Sequence, residues 1–489
     1  MREVIEELLK QENTRQNLSR LRSLIKEQEC KVQAYELLKE HEDLLISFLA
    51  SEDAKTRKNA ALLIGDLQIS HLADDLFKAY ESENTRFVKS SYLTALLQLD
   101  IPQLVPKLVD QKKLLEQTEI TEENRKHVDE ELREINKILI KYNGIKQHTP
   151  ILEGVRAELL LTTNKLHREI VRRQLPVKET KLHPLGVIVK TDNIRLIMKV
   201  RTYRQMYFMI NTEGLLSGNE REMASQLWKS DMYDILRRMH REPGPFYYRI
   251  ESSADGEFQS RLSAALDRLS GGKLINSANN YEIVIKLIQT RDGSYFPCLR
   301  LCSVKDDRFT YRKNVLSTSI HPSTAALLVE LAKPYLKENA QIMDPFCGVG
   351  TMLIERKLAV PAREIYATDI YGDAIEMGRE NARIAKTGIN FIHRDFFDFK
   401  HDYKFDELIT DMPVRGKQTR SEMELFYERF FGKAKQILAK DGIIVMYSNE
   451  IGFVKKQIRL RPEYKLLQET CILDKKGFYL FVIRYMVED

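Results

Sequence analysis

Through the first 110 residues the apolar positions recur at spacings of three and four and show no strand-like alternation, which predicts packed amphipathic helices. Residues 112–142 keep a helical pattern but carry Glu and Lys on all sides, which reads as a solvated helix or hairpin leading out of that module. From about 150 the period changes. Short apolar runs at 156–163, 185–190, 201–210, 245–251, 281–289 and 294–302 alternate with helical stretches, among them 166–175, 193–200 and 258–269. Such an order implies compact α/β or α+β layers. In the last third the alternation becomes regular. Glu364-Ile-Tyr-Ala-Thr-Asp369, Phe391-Ile-His-Arg-Asp395 and Leu408-Ile-Thr-Asp411 each end an apolar run in an acid, and helices are predicted over 373–387 and 421–440. A strand over 442–448 follows, then two more joined by Asp474-Lys-Lys-Gly477, a hairpin signal. Alternating β and α units predict a parallel sheet, to which the hairpin adds an antiparallel strand.

Within the helical region Thr56-Arg-Lys-Asn-Ala-Ala-Leu-Leu-Ile-Gly-Asp-Leu67 lines up with Val88-Lys-Ser-Ser-Tyr-Leu-Thr-Ala-Leu-Leu-Gln-Leu99 at an offset of 32. The repeat resembles HEAT-type units, which stack helix pairs into a curved surface. The whole chain is then multidomain: an N-terminal all-α helical repeat over 1–145, a middle α+β region over 150–310, and a C-terminal α/β Rossmann-like sheet over 311–489. Composition narrows the setting. The net charge of +6, from 77 basic and 71 acidic residues, allows a polyanionic partner without demanding one. Five scattered cysteines make no disulfide framework, and Cys298 and Cys302 lack a second pair to complete a zinc site, so no metal is expected. The N-terminus is charged and amphipathic, and no apolar run reaches membrane-spanning length, so the expected location is the cytoplasm.

The most informative run is Ile342-Met-Asp-Pro-Phe-Cys-Gly-Val-Gly-Thr351. An apolar stretch ends in Asp344, a turn with Gly348 and Gly350 follows, and a helix starts at Thr351, a candidate N-cap. A phosphate loop needs Lys-Ser or Lys-Thr after the last glycine, and a dinucleotide site fits a third glycine where Leu353 stands. The string Asp344-Pro345-Phe346-Cys-Gly-Val-Gly-Thr resembles motif I of S-adenosylmethionine (SAM)-dependent methyltransferases that act on amino groups of nucleic-acid bases. Glu158-Leu-Leu-Leu-Thr-Thr, Lys199-Val-Arg-Thr-Tyr-Arg, Phe309-Thr-Tyr-Arg-Lys and Ser319-Ile-His-Pro-Ser-Thr-Ala-Ala-Leu are similar to the front half of THUMP-domain RNA methyltransferases. The resemblance covers about 155–489 and is most specific in its last part. It implies that the middle region, ferredoxin-like or THUMP-like, grips structured RNA, with Arg168, Arg172, Arg173, Lys199, Arg201, Arg204, Arg308, Arg312 and Lys313 as basic candidates.

Each strand-ending acid then has an expected task. Asp369 would bind both ribose hydroxyls of the cofactor, and Asp395 its adenine amine beside the apolar wall of Phe396; Asp344 and the Gly348 backbone would face the methionine part, and Pro345, Phe346, Gly350 and Thr351 are further cofactor-binding candidates. The reading of each acid as a helix cap or solvated turn stays open. Asp411-Met412-Pro413-Val resembles the acid-Pro-Pro-aromatic loop of amino-methyltransferases. In that loop a carboxylate and a backbone carbonyl hold the two protons of an exocyclic amine. Met412 replaces a proline and Val414 the base-stacking aromatic, so Arg415, Phe426 or Tyr427 are candidates to stack, with Arg312 and His321 as further substrate contacts. The resulting expectation is an enzyme that methylates the N2 amine of a guanosine in tRNA or rRNA. The alternatives are a DNA adenine-N6 methyltransferase, or a non-catalytic RNA- or ribosome-binding protein that keeps the cofactor fold. The helical N-terminus is where a protein partner or RNA would dock.

Overall fold

A computed structural model describes residues 1–119, 121, 123–144 and 148–486. The domain boundary expected at 145 and the last residues of the C-terminal region, 487–489, lie outside the described residues. The chain forms two compact units, each from two stretches of sequence: Met1–Pro150 with Ile210–Ser303, and Ile151–Met209 with Val304–Asp489. In chain order the strands are β1 (Glu153–Thr162), β2 (Thr180–His183), β3 (Gly186–Asn193), β4 (Gln205–Met209), β5 (Phe246–Glu251), β6 (Leu274–Asn276), β7 (Ile283–Gln289) and β8 (Tyr295–Leu301). Those of the C-terminal region are β9 (Ala340–Asp344), β10 (Ala362–Asp369), β11 (Asn390–His393), β12 (Phe405–Asp411), β13 (Leu438–Ser448), β14 (Tyr464–Leu473) and β15 (Phe478–Tyr485).

The first unit opens with helices from Arg2–Leu9 to Arg125–Asn143. The two repeated segments fall on helices Ala54–Leu67 and Arg86–Gln98, which pack so closely that a Cβ on Gly65 would lie 2.6 Å from the Cα of Ala95. Arg57 of the first grips the buried Glu83 with Nε to Oε2 at 2.8 Å and Nη2 to Oε1 at 2.7 Å. The polar stretch at 112–142 departs from expectation. Helix Arg125–Asn143 buries Val128, Glu131, Ile135 and Ile138, a stripe at spacings of three and four that the charges between them hide in the sequence. Glu131 tolerates burial partly because the Tyr80 hydroxyl donates to it at 3.2 Å. The second stretch of this unit contributes parallel pairings β5–β6 and β5–β7 and the antiparallel hairpin β7–β8, with helix Gly256–Ser270 packed on the strands.

The second unit begins with an antiparallel group in the order β2-β3-β1-β4. Several residues read as RNA candidates are occupied inside this unit. Arg308 is buried, donates from Nη1 to the Val200 and Tyr203 carbonyls at 2.9 and 2.8 Å, and stacks on Tyr203. Arg201 forms a bidentate pair with buried Glu355 at 2.7 and 2.8 Å, to which the Tyr311 hydroxyl also donates at 2.6 Å. These guanidiniums hold backbone and a buried acid, because an unpaired buried carboxylate is costly.

Residues 340–485 build a sheet in the order β11-β10-β9-β12-β13-β15-β14, parallel except for β15, which runs antiparallel between β13 and β14. Both faces are covered, so its central strands are apolar throughout rather than alternating. Ile342, Ile365, Ile409 and Val445 pack beneath helices Pro322–Ala332, Thr351–Ala359 and Gly372–Ala385. Met343, Leu408, Ile444 and Phe481 pack on the opposite face against Arg420–Ile437 and Ile451–Leu460. At the amino end of the sheet, fully buried Arg356 bonds Glu407 through Nε and Nη2 at 2.8 Å each and also caps the Val360 and Lys337 carbonyls. Arg356→Met leaves Glu407 buried without its partner and is expected to cost about 3–5 kcal/mol by chemical denaturation, whereas Arg356→Met/Glu407→Leu recovers most of that loss. A double variant no more stable than the single one would contradict this pairing as the cause.

Candidate active site

β9 delivers Asp344 at its carboxyl end, and residues 345–350 turn the chain into helix Thr351–Ala359. The two glycines serve different needs. Gly350 has φ +79°, and a Cβ there would lie 2.8 Å from the Phe391 ring, so backbone and packing both exclude a side chain. Gly348 has φ +49°, and no atom stands within 4 Å of where its Cβ would be, so the space before it is open. Gly350 is also the helix cap. Thr351, expected in that role, is the first helical residue, buried, and its hydroxyl has no partner among the described residues. The turn demands positive φ at the capping position, which a β-branched residue resists.

Asp369, at the end of β10, closes this turn. Its Oδ2 accepts the Gly348 N–H and its Oδ1 the Tyr371 N–H, both at 2.9 Å. A carboxylate has about four lone-pair positions, so capacity for a pair of hydroxyls remains. β11 stops at His393, and Asp395 caps the one-turn helix Phe396–Asp398, accepting the Phe397 N–H at 2.9 Å. Phe396 is buried against Phe346 and Phe430 at ring distances of 5.7 and 5.9 Å, and the half-buried rings beside it are Phe346, Phe397 and Phe426.

The parallel order reverses direction between β9 and β12, the point where open sheets of this kind bind ligands. Leu408 pairs with Met343, so Asp411 projects past Asp344 along the strand edge. Burial pushes the Asp344 carboxyl up to about 8 against the pull of the Phe346 N–H at 3.0 Å, and the Asp411 and Asp369 charges push the same way. Burial likewise pushes Asp411 up to about 7, and no described residue donates a hydrogen bond to it. Met412 is buried and its N–H donates to the Tyr447 carbonyl at 2.9 Å, which fixes the loop, while Pro413, Val414 and Arg415 are exposed.

The remaining substrate candidates scatter. Tyr427 is fully buried with its hydroxyl 2.7 Å from Ser448 Oγ, so it offers no ring face to a base. His321 caps helix Pro322–Ala332, its Nδ1 accepting the Ser323 N–H; burial, then the charges of Arg204, Arg312 and Arg308, push it down to about 4. Arg312 is half-buried, and its Nε has no partner among the described residues.

Two features escaped the sequence reading. Ile370 and Tyr371 follow Asp369 and are 58 % and 68 % exposed, while His393 Nε2 holds the Ile370 carbonyl at 2.9 Å. An apolar pair in an otherwise polar strand-to-helix turn was the available signal. Tyr447 pairs in register with Asp411, and its ring stacks on half-buried Phe478 at 4.9 Å and 28°. No local pattern marks that pair, because Phe478 comes from a distant hairpin.

Residues 310–470 match the UPF0020 family, an RMKL-like methyltransferase domain. A tRNA (guanine(10)-N2)-dimethyltransferase of Methanothermobacter thermautotrophicus is 29 % identical over 155 residues, 30 % of this chain and 45 % of that protein. A bifunctional methyltransferase of Rickettsia felis is 21 % identical over 309 residues, 59 % of this chain and 52 % of that protein. The chain thus spans about half the length of these curated relatives. TrmN from Thermus thermophilus has a similar structure, with a TM-score of 0.50 and 17 % identity over 68 % of this chain and 100 % of that one. SMU.472, a putative methyltransferase complexed with SAH, gives 0.51 and 14 % over 68 % and 99 %. The C-terminal region therefore has the methyltransferase fold, and family and fold together indicate SAM as its cofactor. The residues fit that group: open space at Gly348, spare acceptor positions on Asp369, and an exposed apolar pair after it. Among the described residues no cluster suited to a metal ion is found, and no helix is long and apolar enough to cross a membrane.

Asp344 and Asp411 have carboxyls raised above their unfolded values, so their contribution to stability is fully present below about pH 4 and is lost as pH rises through 7 to 8. Thermal melts from pH 5 to 9 should show a falling midpoint, and Asp344→Asn should flatten the fall; an identical slope in the variant would refute it. Gly348→Ala, strained at φ +49°, should cost about 1–2 kcal/mol of stability and weaken SAM binding at least ~10-fold in calorimetry, because the methyl fills open space.

Proposed function

We propose that this protein is a SAM-dependent RNA methyltransferase whose target is the exocyclic N2 amine of a guanosine in tRNA or rRNA. The observation that carries the reading is Asp411-Met412-Pro413 at the switch point of the sheet, next to the Asp344–Gly348–Asp369 rim. Similarity to a protein named as a tRNA guanine-N2 methyltransferase supports the choice of base and of RNA. In this reading 1–145 is a HEAT-like helical module, 150–310 a THUMP-like RNA-binding region and 311–489 the catalytic domain. The protein works in the cytoplasm, with RNA as partner and the helical module free to engage a protein.

The chemistry asked of the chain is modest. Bound SAM supplies a methyl group that already carries a good leaving group. An exocyclic amine is a poor nucleophile, since its lone pair is delocalised into the ring. Asp411 accepts a hydrogen bond from one amine N–H and the Met412 carbonyl from the other, which holds the nitrogen in line. The Tyr447 carbonyl anchors Met412 and so sets the direction of its own carbonyl. Asp369 and Asp395 orient the cofactor, and the low-dielectric setting that lifts Asp411 also strengthens its hydrogen bond to the amine. With Val414 unable to stack, half-buried Phe478, braced by buried Tyr447 beside Asp411, supplies the aromatic surface for the base.

Transfer of labelled methyl from SAM to bulk RNA, with DNA as competitor, tests the reading. Asp411→Ala should lower kcat about 100-fold or more with SAM affinity unchanged. Wild-type kcat should rise from pH 6 to 8 as the Asp411 carboxyl, near 7, ionises. Undiminished transfer by Asp411→Ala would remove it from the mechanism, and preference for DNA would remove the RNA assignment.

A further inference from the structure

The first unit contains a cleft of ≈ 550 Å³ between the helical module and the strand-bearing segment that follows it in the unit. On one wall β5 and β7 carry Arg249 and Lys286 around a single acid, Glu251, which Arg300 of β8, outside the lining, also pairs with. Glu251 takes Arg249 Nη2 at close range, Arg300 Nη2 at 3.3 Å and Lys286 Nζ at 3.6 Å. Three cations on one carboxylate leave two positive charges uncompensated. Arg133, from helix Arg125–Asn143, also lines the cleft, its charge shared with nearby Asp129 and Asp267. The guanidinium Nε atoms of Arg249 and Arg300 are buried yet have no partner among the described residues. The Arg249 guanidinium is held over the Tyr281 ring at 4.6 Å, which limits its movement. The rest of the lining mixes hydroxyls and amides, Ser252, Gln259, Ser260 and Asn276, with Ile250 and Ala278.

Resting on the RNA reading above, we propose that this cleft holds a phosphodiester of the RNA substrate, and that Arg133 makes the helical module part of the RNA-binding surface. Fixed guanidiniums with spare donors, a mobile ammonium and hydroxyls suit a phosphate, which accepts from many donors at once. A metal cation would be repelled by the excess of positive groups. Because Glu251 engages Arg249 and Arg300 through Nη2, these guanidiniums are positioned before the anion arrives.

The test uses the full chain and fluorescently labelled bulk tRNA, with affinity measured against salt concentration. Lys286→Gln and Arg133→Gln should each weaken binding about 3–10-fold at 0.1 M salt. Each should also reduce the slope of log Kd against log salt by about 0.7–0.9 for every phosphate left without its cation. Arg300→Lys, which keeps the charge, should retain the slope. Unchanged affinity and slope in both charge-removing variants would overturn the site. Methyl transfer is read on the same samples: its absence in the wild type would overturn the catalytic reading and leave the binding result standing. Transfer at unaltered RNA affinity in the variants would overturn this site alone.

Discussion

The hydrogen bond from the Gly348 N–H to Asp369 is the constraint on which the candidate site depends. It links the turn after one strand to the end of its neighbour, and it is possible only because Gly348 and Gly350 accept positive φ. The turn in turn aims helix Thr351–Ala359, whose Glu355 is held by Arg201 and Tyr311. A single carboxylate thereby sets where the backbone opens to a ligand and where the following helix lies. The same arrangement leaves Asp344 desolvated behind the turn, which explains its lifted carboxyl.

Buried charge is handled consistently through the molecule. Arg57 with Glu83, Arg201 with Glu355 and Arg356 with Glu407 are each bidentate pairs with a buried acid. They anchor element to element where plain apolar packing would leave the angle less defined. Asp344 and Asp411 stand apart from these pairs, since no cation among the described residues neutralises either. Lifted carboxyls at a sheet switch point mark a candidate site, whereas Asp267, lifted to about 7 by burial, lies away from any switch point.

The cationic face of β5, β7 and β8 follows a different logic. There the positive groups outnumber the acid, and two of them, Arg249 and Lys286, line a cleft. Charge balanced within the fold builds structure, whereas charge in excess is available to a partner. That distinction also removes Arg308 and Arg201 from the pool of RNA contacts, as both are consumed by backbone carbonyls and a buried acid.

Much of the C-terminal sheet was legible along the chain because each βα unit is local: an apolar run, an acid or glycine turn, then a 3.6-residue period. The same holds for the hairpin, where Gly477 at φ +65° ends the turn that Asp474-Lys-Lys announces. Helix Arg125–Asn143 was misread as solvated because its buried stripe runs between charges and includes Glu131, whose burial depends on Tyr80 some fifty residues away. Thr351 lost the cap because the sequence shows which residues favour caps but not the sign of φ that a turn imposes. Tyr427 and Phe478 are both aromatics near the same loop in a reading of composition, yet one is sealed under Ser448 and the other lies at the edge beside Tyr447. Periodicity and turn chemistry are properties of neighbours in sequence, so the chain alone determined the elements, their acids and the glycine turn. Burial, pairing and leftover charge depend on residues brought together from far apart, and only the tertiary structure decided those.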